Sequence, residues 1–188
     1  MNIKSLLIVV AAAFMVISCG GNRSKNANVE AVATLEVDAL LSSAAEFTDK
    51  VVEVEGICTH ICQHGGRKMF LMGCNDTNTI RIEAGELGAF PHHFVNSFVK
   101  VKGTLCEERI DETYLQNWEA AVAAKTAEEH GDGESGCDTE KKARGETANT
   151  TAERIADFRA KIAARKAAEG KDYLSFYYIL ALSHEVIK

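Results

Sequence analysis

The stretch VVEVEGICTHI, residues 51–61, is rich in β-branched side chains, alternates apolar with acidic residues from Val52 to Glu55, and is followed by Gly65-Gly66. A period of two places successive side chains on opposite faces of an extended chain, a spacing that no helix uses. The two glycines turn the chain back into KMFLMGC, residues 68–74, so the pattern predicts a β-hairpin, with Gly56 marking a bulge or bend in its first strand. A lone hairpin cannot bury its apolar face, and three later segments read as strands that would complete the sheet. These are TIRIEA (79–84), FVKVKGTLC (98–106) and DYLSFYYILALSHEVI (172–187), the last rich in aromatic and branched residues.

Between the third and fourth strands, GELGAFPHHFVNS (85–97) holds the only proline and predicts a short helix or turn. Five strands with that link are the order expected of an OB-type barrel. Ahead of them, in LEVDALLSSAAEFTDK (35–50), Leu35, Ala39, Leu40 and Phe47 would line one face of a short helix. The stretch 107–171 departs from a plain barrel and predicts two helices. Leu115, Trp118 and Val122 recur at helical spacing in the first (112–131), and Ile155, Phe158 and Ile162 in the second (150–170). The charged, glycine-containing GDGESGCDTEKKARGE between them predicts a mobile connection. The fold class is thus mainly β with a helical insert, at about 111–170, between strands four and five. Two arrangements are open: a helical hairpin projecting from the barrel, or helices packed on its open end. In the first, Trp118, Val122, Phe158 and Ile162 are a candidate protein-partner surface.

The N-terminus, MNIKSLLIVVAAAFMVISCGG, joins one lysine to an apolar run too short to span a bilayer, which predicts a signal peptide over residues 1–18. Val16-Ile17-Ser18-Cys19 resembles the lipobox of bacterial lipoproteins. The resemblance implies lipidation of Cys19, a tether over 19–34 and a folded domain over 35–188. Gly20 after the cysteine, with no acidic cluster following, implies the outer membrane facing the periplasm as the place of anchoring. The run AAEFTDKVVEVEGICTHI with its hairpin, TIRIEAGE and FVKVKGTL resembles bacterial OB-fold proteins of the tRNA anticodon-binding-like group, many of them small lipoproteins of Bacteroidetes-type bacteria. That resemblance implies a fold and no catalytic residue.

The net charge of −6 argues against a nucleic-acid partner, which normally needs a basic face. With no second long apolar run, no further membrane span is expected.

If the first strand runs unbroken to its turn, Cys58, His60, Cys62 and His64 share one face. A three-residue loop would set Cys58 opposite Cys74 and His60 opposite Met72, and a two-residue loop would shift every pair by one. Two readings stay open. Thiolate and imidazole suit zinc or copper, with Cys58, His60, Cys62, His64 and Cys74 as candidate ligands and Met72 favouring copper. Face-mates two apart are about 6 to 7 Å apart, so one ion would take two of them plus Cys74, His92 or His93. The alternative is a Cys58–Cys74 disulfide, worth ~3 kcal/mol on the chain-entropy model, in an oxidising compartment. Cys62, Cys106 and Cys137 are then the candidates for a free thiol.

Adjacent His92 and His93 diverge and are not diagnostic, His130 reads as a solvated helix end, and His184 as a barrel histidine. The carboxylate runs EERIDE and TAEEHGDGE read as solvated surface. Cys62 beside His60 or His64 has no visible orienting group, and no nucleotide-binding, nucleophile-elbow or zincin motif occurs, so no enzyme is expected. The expected function is a membrane-anchored periplasmic binding module, either taking a soft metal at the first hairpin or stapled there and binding a protein or envelope glycan.

Overall fold

In the computed structural model, strand β2 (Val51–Ile61) serves two neighbours at once, which closes the sheet. Its first half, Val51 to Ile57, pairs antiparallel with β5 (Phe98–Ile110), and its second half, from Ile57, pairs antiparallel with β3 (Lys68–Met72). β4 (Thr79–Glu83) runs antiparallel to β3 and parallel to β6 (Leu174–Val186), and β6 returns antiparallel along β5. The result is a closed five-stranded mixed barrel, the OB-type architecture expected. A sixth strand, β1 (Thr34–Glu36), adds parallel to the first half of β2. The structure describes residues 33–74, 78–124 and 137–187. The signal peptide, almost all of the tether, Cys19 and His130 lie outside the described residues.

Alternation fills the barrel. Val52, Val54 and Cys58 of β2, Met69 and Leu71 of β3, Ile80 and Ile82 of β4, Val99, Val101 and Leu105 of β5, and Ile179 and Ala181 of β6 are buried in one core. Each large side chain so removed from water contributes about 1.5–3 kcal/mol. Gly56 is required where β2 passes from one partner to the other, since a Cβ there would stand 2.7 Å from the Met72 carbonyl oxygen. The register break falls later than the glycine suggested, between Cys58 and His60.

Residues 35–50 divide differently from the single helical face expected. Leu35 belongs to β1, and α1 (Val37–Ser42) and α2 (Ala44–Phe47) follow, with Val37, Leu40 and Ala44 buried in the barrel core. The link between β4 and β5 makes short 3-10 turns at Gly85–Leu87 and His92–Phe94 and seats Phe90 and Phe94 in the same core.

β5 and β6 continue past the barrel as a two-stranded ribbon, pairing out to Ile110 with Leu174. On it rest α3 (Glu112–Ala123) and α5 (Thr151–Glu169). Asp111 caps α3 by accepting from the Tyr114 N–H at 2.8 Å, while Thr150 and Glu153 form a capping box on α5 and Gly170, at φ 73°, ends it. Ile110, Leu115, Trp118, Ile155 and Phe158 make a second core, with Leu174 and Phe176 packed against it. This corrects the partner-surface expectation. Trp118 and Phe158 are interior and Ile162 is half-buried, because both apolar stripes close on each other and on the ribbon; of the four only Val122 is exposed. The connection between the helices also carries order that its composition did not predict, a third helix, α4 (Asp138–Ala143). No helix among the described residues is long and apolar enough to cross a membrane.

Candidate functional site

The break between Cys58 and His60 separates the residues expected on one face of the hairpin. Cys58 points into the barrel and is fully buried, and burial pushes its thiol up to about 11. After the break Ile61 takes the inward position, so His60 faces outward, its ring 5.9 Å from that of Phe70. Cys62 is half-buried just past β2, and His64 is exposed in the turn. Cys58 lies opposite Leu71 rather than Cys74. Cys74 is exposed at the far end of β3, and its thiol donates to the Glu36 carboxylate at 3.3 Å. The carboxylate holds that proton in place and raises the thiol above its usual range. Cys58, Cys62, Cys74, Cys106 and Cys137 are all free thiols, so the predicted Cys58–Cys74 staple is not made; the register and the inward turn of Cys58 keep the two sulfurs apart. Among the described residues no three Cys, His, Asp or Glu side chains gather as metal ligands do.

What the fold does assemble lies on the outer wall of the barrel. Phe70 of β3, Arg81 of β4 and Phe176 of β6 alternate with core residues and point outward, as does Glu108 opposite Phe176 on β5. α4 stands over this wall and is held by charge. Glu140 reaches Lys68 Nζ at 3.0 Å and Arg81 Nη1 at 2.6 Å, and Glu108 receives Arg81 Nη2 at 3.2 Å and Arg144 Nη2 at 2.7 Å. Arg81 lies over the Tyr178 ring at 4.8 Å, and Arg144 over Phe176 at 5.6 Å. Burial alone would push the Glu140 carboxyl up, but the charges of Lys68, Arg144 and Arg81 outweigh it and hold it below the usual carboxylate value.

Between α4 and the wall is a cleft of about 370 Å³, lined among others by Phe70, Arg81, Glu140, Arg144, Ser175 and Phe176. That volume falls in the range that small ligands occupy. Its polar edge combines donors, acceptors and hydroxyls beside the half-buried Phe176, with Phe70 fully buried beneath, and each guanidinium already faces a carboxylate. Where α4 begins, the Cys137 sulfur comes within 3.4 Å of His60 Nε2.

Of the hairpin residues singled out from sequence, only His60 reaches this assembly. Lys68, Arg81, Glu108, Glu140 and Arg144 carried one local signal, Glu140 and Arg144 standing four apart as helical ion-pair partners do. That signal was masked by the charged, glycine-containing composition around it. His92 and His93 are exposed, His93 packing edge-on to Phe94, while His184 meets Phe90 and Phe94 edge-on.

No family model matches the chain, and no curated protein does. Among solved structures it is similar to a chain assigned as an aspartyl-tRNA synthetase from Leishmania major, at 16% identity and a TM-score of 0.31, over 45% of this chain and 18% of that one. The barrel is established by its own strand pairing, independently of this likeness.

Proposed function

We propose that the chain is a lipoprotein of the cell envelope whose barrel is a binding module, and that its ligand is a short, uncharged glycan segment held in the cleft between α4 and the wall formed by β3, β4 and β6. The observation that carries this reading is the chemistry of the cleft lining. A sugar offers hydroxyls that both donate and accept and an apolar ring face, and Arg81, Glu140, Arg144 and Ser175 beside the half-buried Phe176 match both needs. OB barrels commonly take oligosaccharides or oligonucleotides on this side wall, bounded by the loops after the first and fourth barrel strands. The paired guanidiniums favour the sugar. A phosphate would have to break Arg–Glu pairs to gain a cation, and the acidic chain repels a polyanion at long range. A zinc or copper module at the first hairpin draws no support from the scattered Cys58, His60, Cys62, His64 and Cys74.

Anchoring rests on the lipobox-like Val16 to Cys19, with lipidated Cys19 placing the barrel at a membrane surface, the outer membrane by the signals that follow it. Two measurements test the whole. Titration of the full chain with neutral amino-sugar tetrasaccharides should give saturable binding that Ala143→Trp, filling the cleft, weakens by about ten-fold or more. Binding unaffected by Ala143→Trp, or salt-sensitive binding of single-stranded oligonucleotides in place of the sugar, would overturn it. The mass of the N-terminal peptide should show an acylated Cys19, and Cys19→Ser should release the chain from membranes.

A further inference from the structure

Five free thiols lie among the described residues, and three are sealed or engaged by their surroundings. Cys58 is sealed in the barrel, Cys74 donates to a carboxylate and Cys106 donates to the Thr104 carbonyl at 3.6 Å, while Cys62 is half-buried at the foot of the turn. Cys137 is different. Its sulfur is 3.4 Å from His60 Nε2, and no chain neighbour brings them together, since they stand 77 positions apart. Both partners are held. The Cys137 carbonyl accepts from Lys141 N–H at 3.0 Å at the start of α4, and the His60 ring rests against Phe70 at 47° between planes. Both side chains are only half-buried, so a small molecule in solution can reach the sulfur.

We propose that Cys137 and His60 form a thiol–disulfide exchange site, at which a low-molecular-weight disulfide converts the Cys137 thiol to a mixed disulfide. With the imidazole proton on Nδ1, Nε2 takes the proton from Sγ as the sulfur attacks one sulfur of the disulfide R–S–S–R. The S–S bond of the reagent breaks, an Sγ–S–R bond forms, and the departing RS⁻ recovers the proton from His60 and leaves as RSH. One disulfide is exchanged for another, so no further oxidant is needed. A base within reach takes up the proton as the sulfur attacks, which decides selectivity among thiols of similar access. The adduct would stand where α4 begins, beside the His60 ring that rests on Phe70, and the assignment does not depend on which ligand the cleft takes.

The test treats the full chain with 2-hydroxyethyl disulfide at pH 7 and follows each cysteine by peptide mass. Cys137 should react about ten times faster than Cys62 or the more exposed Cys74, and His60→Ala and His60→Gln should each bring its rate to within about three-fold of Cys74. A lead by Cys62 or Cys74, or a Cys137 rate indifferent to both substitutions, would overturn the assignment. An independent readout is the ratio of the Cys137 rates at pH 9 and pH 7, taken in the parent and in His60→Gln. With an intramolecular base that ratio is smaller in the parent, and equal ratios count against the site.

Discussion

Arg81 Nη1 lies 2.6 Å from Glu140 Oε1, joining the outer wall of the barrel to α4 across 59 positions of sequence. Side-chain exposures of 11% for Arg81 and 18% for Glu140 put the pair beyond the weak regime of surface salt bridges, and Lys68 and Arg144 extend it into a network. α4 has no buried residue of its own, so these charges, not an apolar face, are what dock it over the cleft.

Glu140→Ala should therefore loosen α4 while leaving the barrel intact. Removing one partner from a largely buried network costs about 1–3 kcal/mol, and amide exchange over residues 138–143 should quicken by about ten-fold or more, with barrel amides unchanged. Acid should do the same. The folded Glu140 carboxyl is held below its ordinary 4.5, so its contribution is complete above that value and is lost as the pH falls through the lower folded value. Protection of α4 measured from pH 7 downward should persist at pH 5 and fail in more strongly acid solution.

Cys58 makes the opposite prediction at high pH. Its folded thiol titrates at about 11 against an ordinary 9.0, so the folded state keeps a proton that the unfolded state has lost. The contribution is whole below 9.0 and disappears as the pH rises through about 11, a loss of about 2 kcal/mol by linkage. Denaturant unfolding of the chain and of Cys58→Ala between pH 8 and 11 should show that slope only in the parent. At neutral pH Cys58 should resist alkylation until the barrel unfolds.

Gly103 should tolerate no side chain. A Cβ there would stand 2.4 Å from the Leu180 carbonyl oxygen and 2.5 Å from Ile179 Cγ2, at the register shift between β5 and β6, and backbone cannot step aside as a flexible side-chain tip can. Gly103→Ala is expected to cost about 2–4 kcal/mol, read as a fall in the denaturant midpoint at constant slope.

Phe158 and Val122 separate interior from surface in the helical insert. Phe158 is fully buried against Trp118 and Phe176, at centroid distances of 6.3 and 6.0 Å, so Phe158→Ala should cost about 3–5 kcal/mol. Val122 is 37% exposed, and Val122→Ala should stay within about 0.5 kcal/mol in the same unfolding assay.

Alternation and turn chemistry are local properties, and so the strands are legible in the sequence. The run from Val52 to Val54, the Gly65-Gly66 turn, TIRIE and the closing aromatic strand each declare an extended chain with one inward face, and five such strands with a short link imply the barrel. The caps at Asp111, Thr150 and Gly170 set the start of α3 and both ends of α5 close to where the spacing of Leu115 and Phe158 puts them, while α3 ends at Ala123, short of the expected 131. What burial each stripe would find was not local. Trp118 and Phe158 became interior because β5 and β6 outrun the barrel and offer a ribbon to cover. The cysteines were misaligned for a similar reason. One register break after Cys58 reverses the parity of the rest of β2, leaving Cys58 inward with Val52 and Val54 and turning His60 outward, and no composition records such a break. Glu140 and Cys137 gain their partners only because the insert lies over the wall, since Arg81 and His60 stand 59 and 77 positions away and no local spacing brings them near. Short-range stereochemistry thus determined the elements and their inward faces, while the pairing of distant charges and thiols, on which the cleft depends, was decided by the tertiary fold.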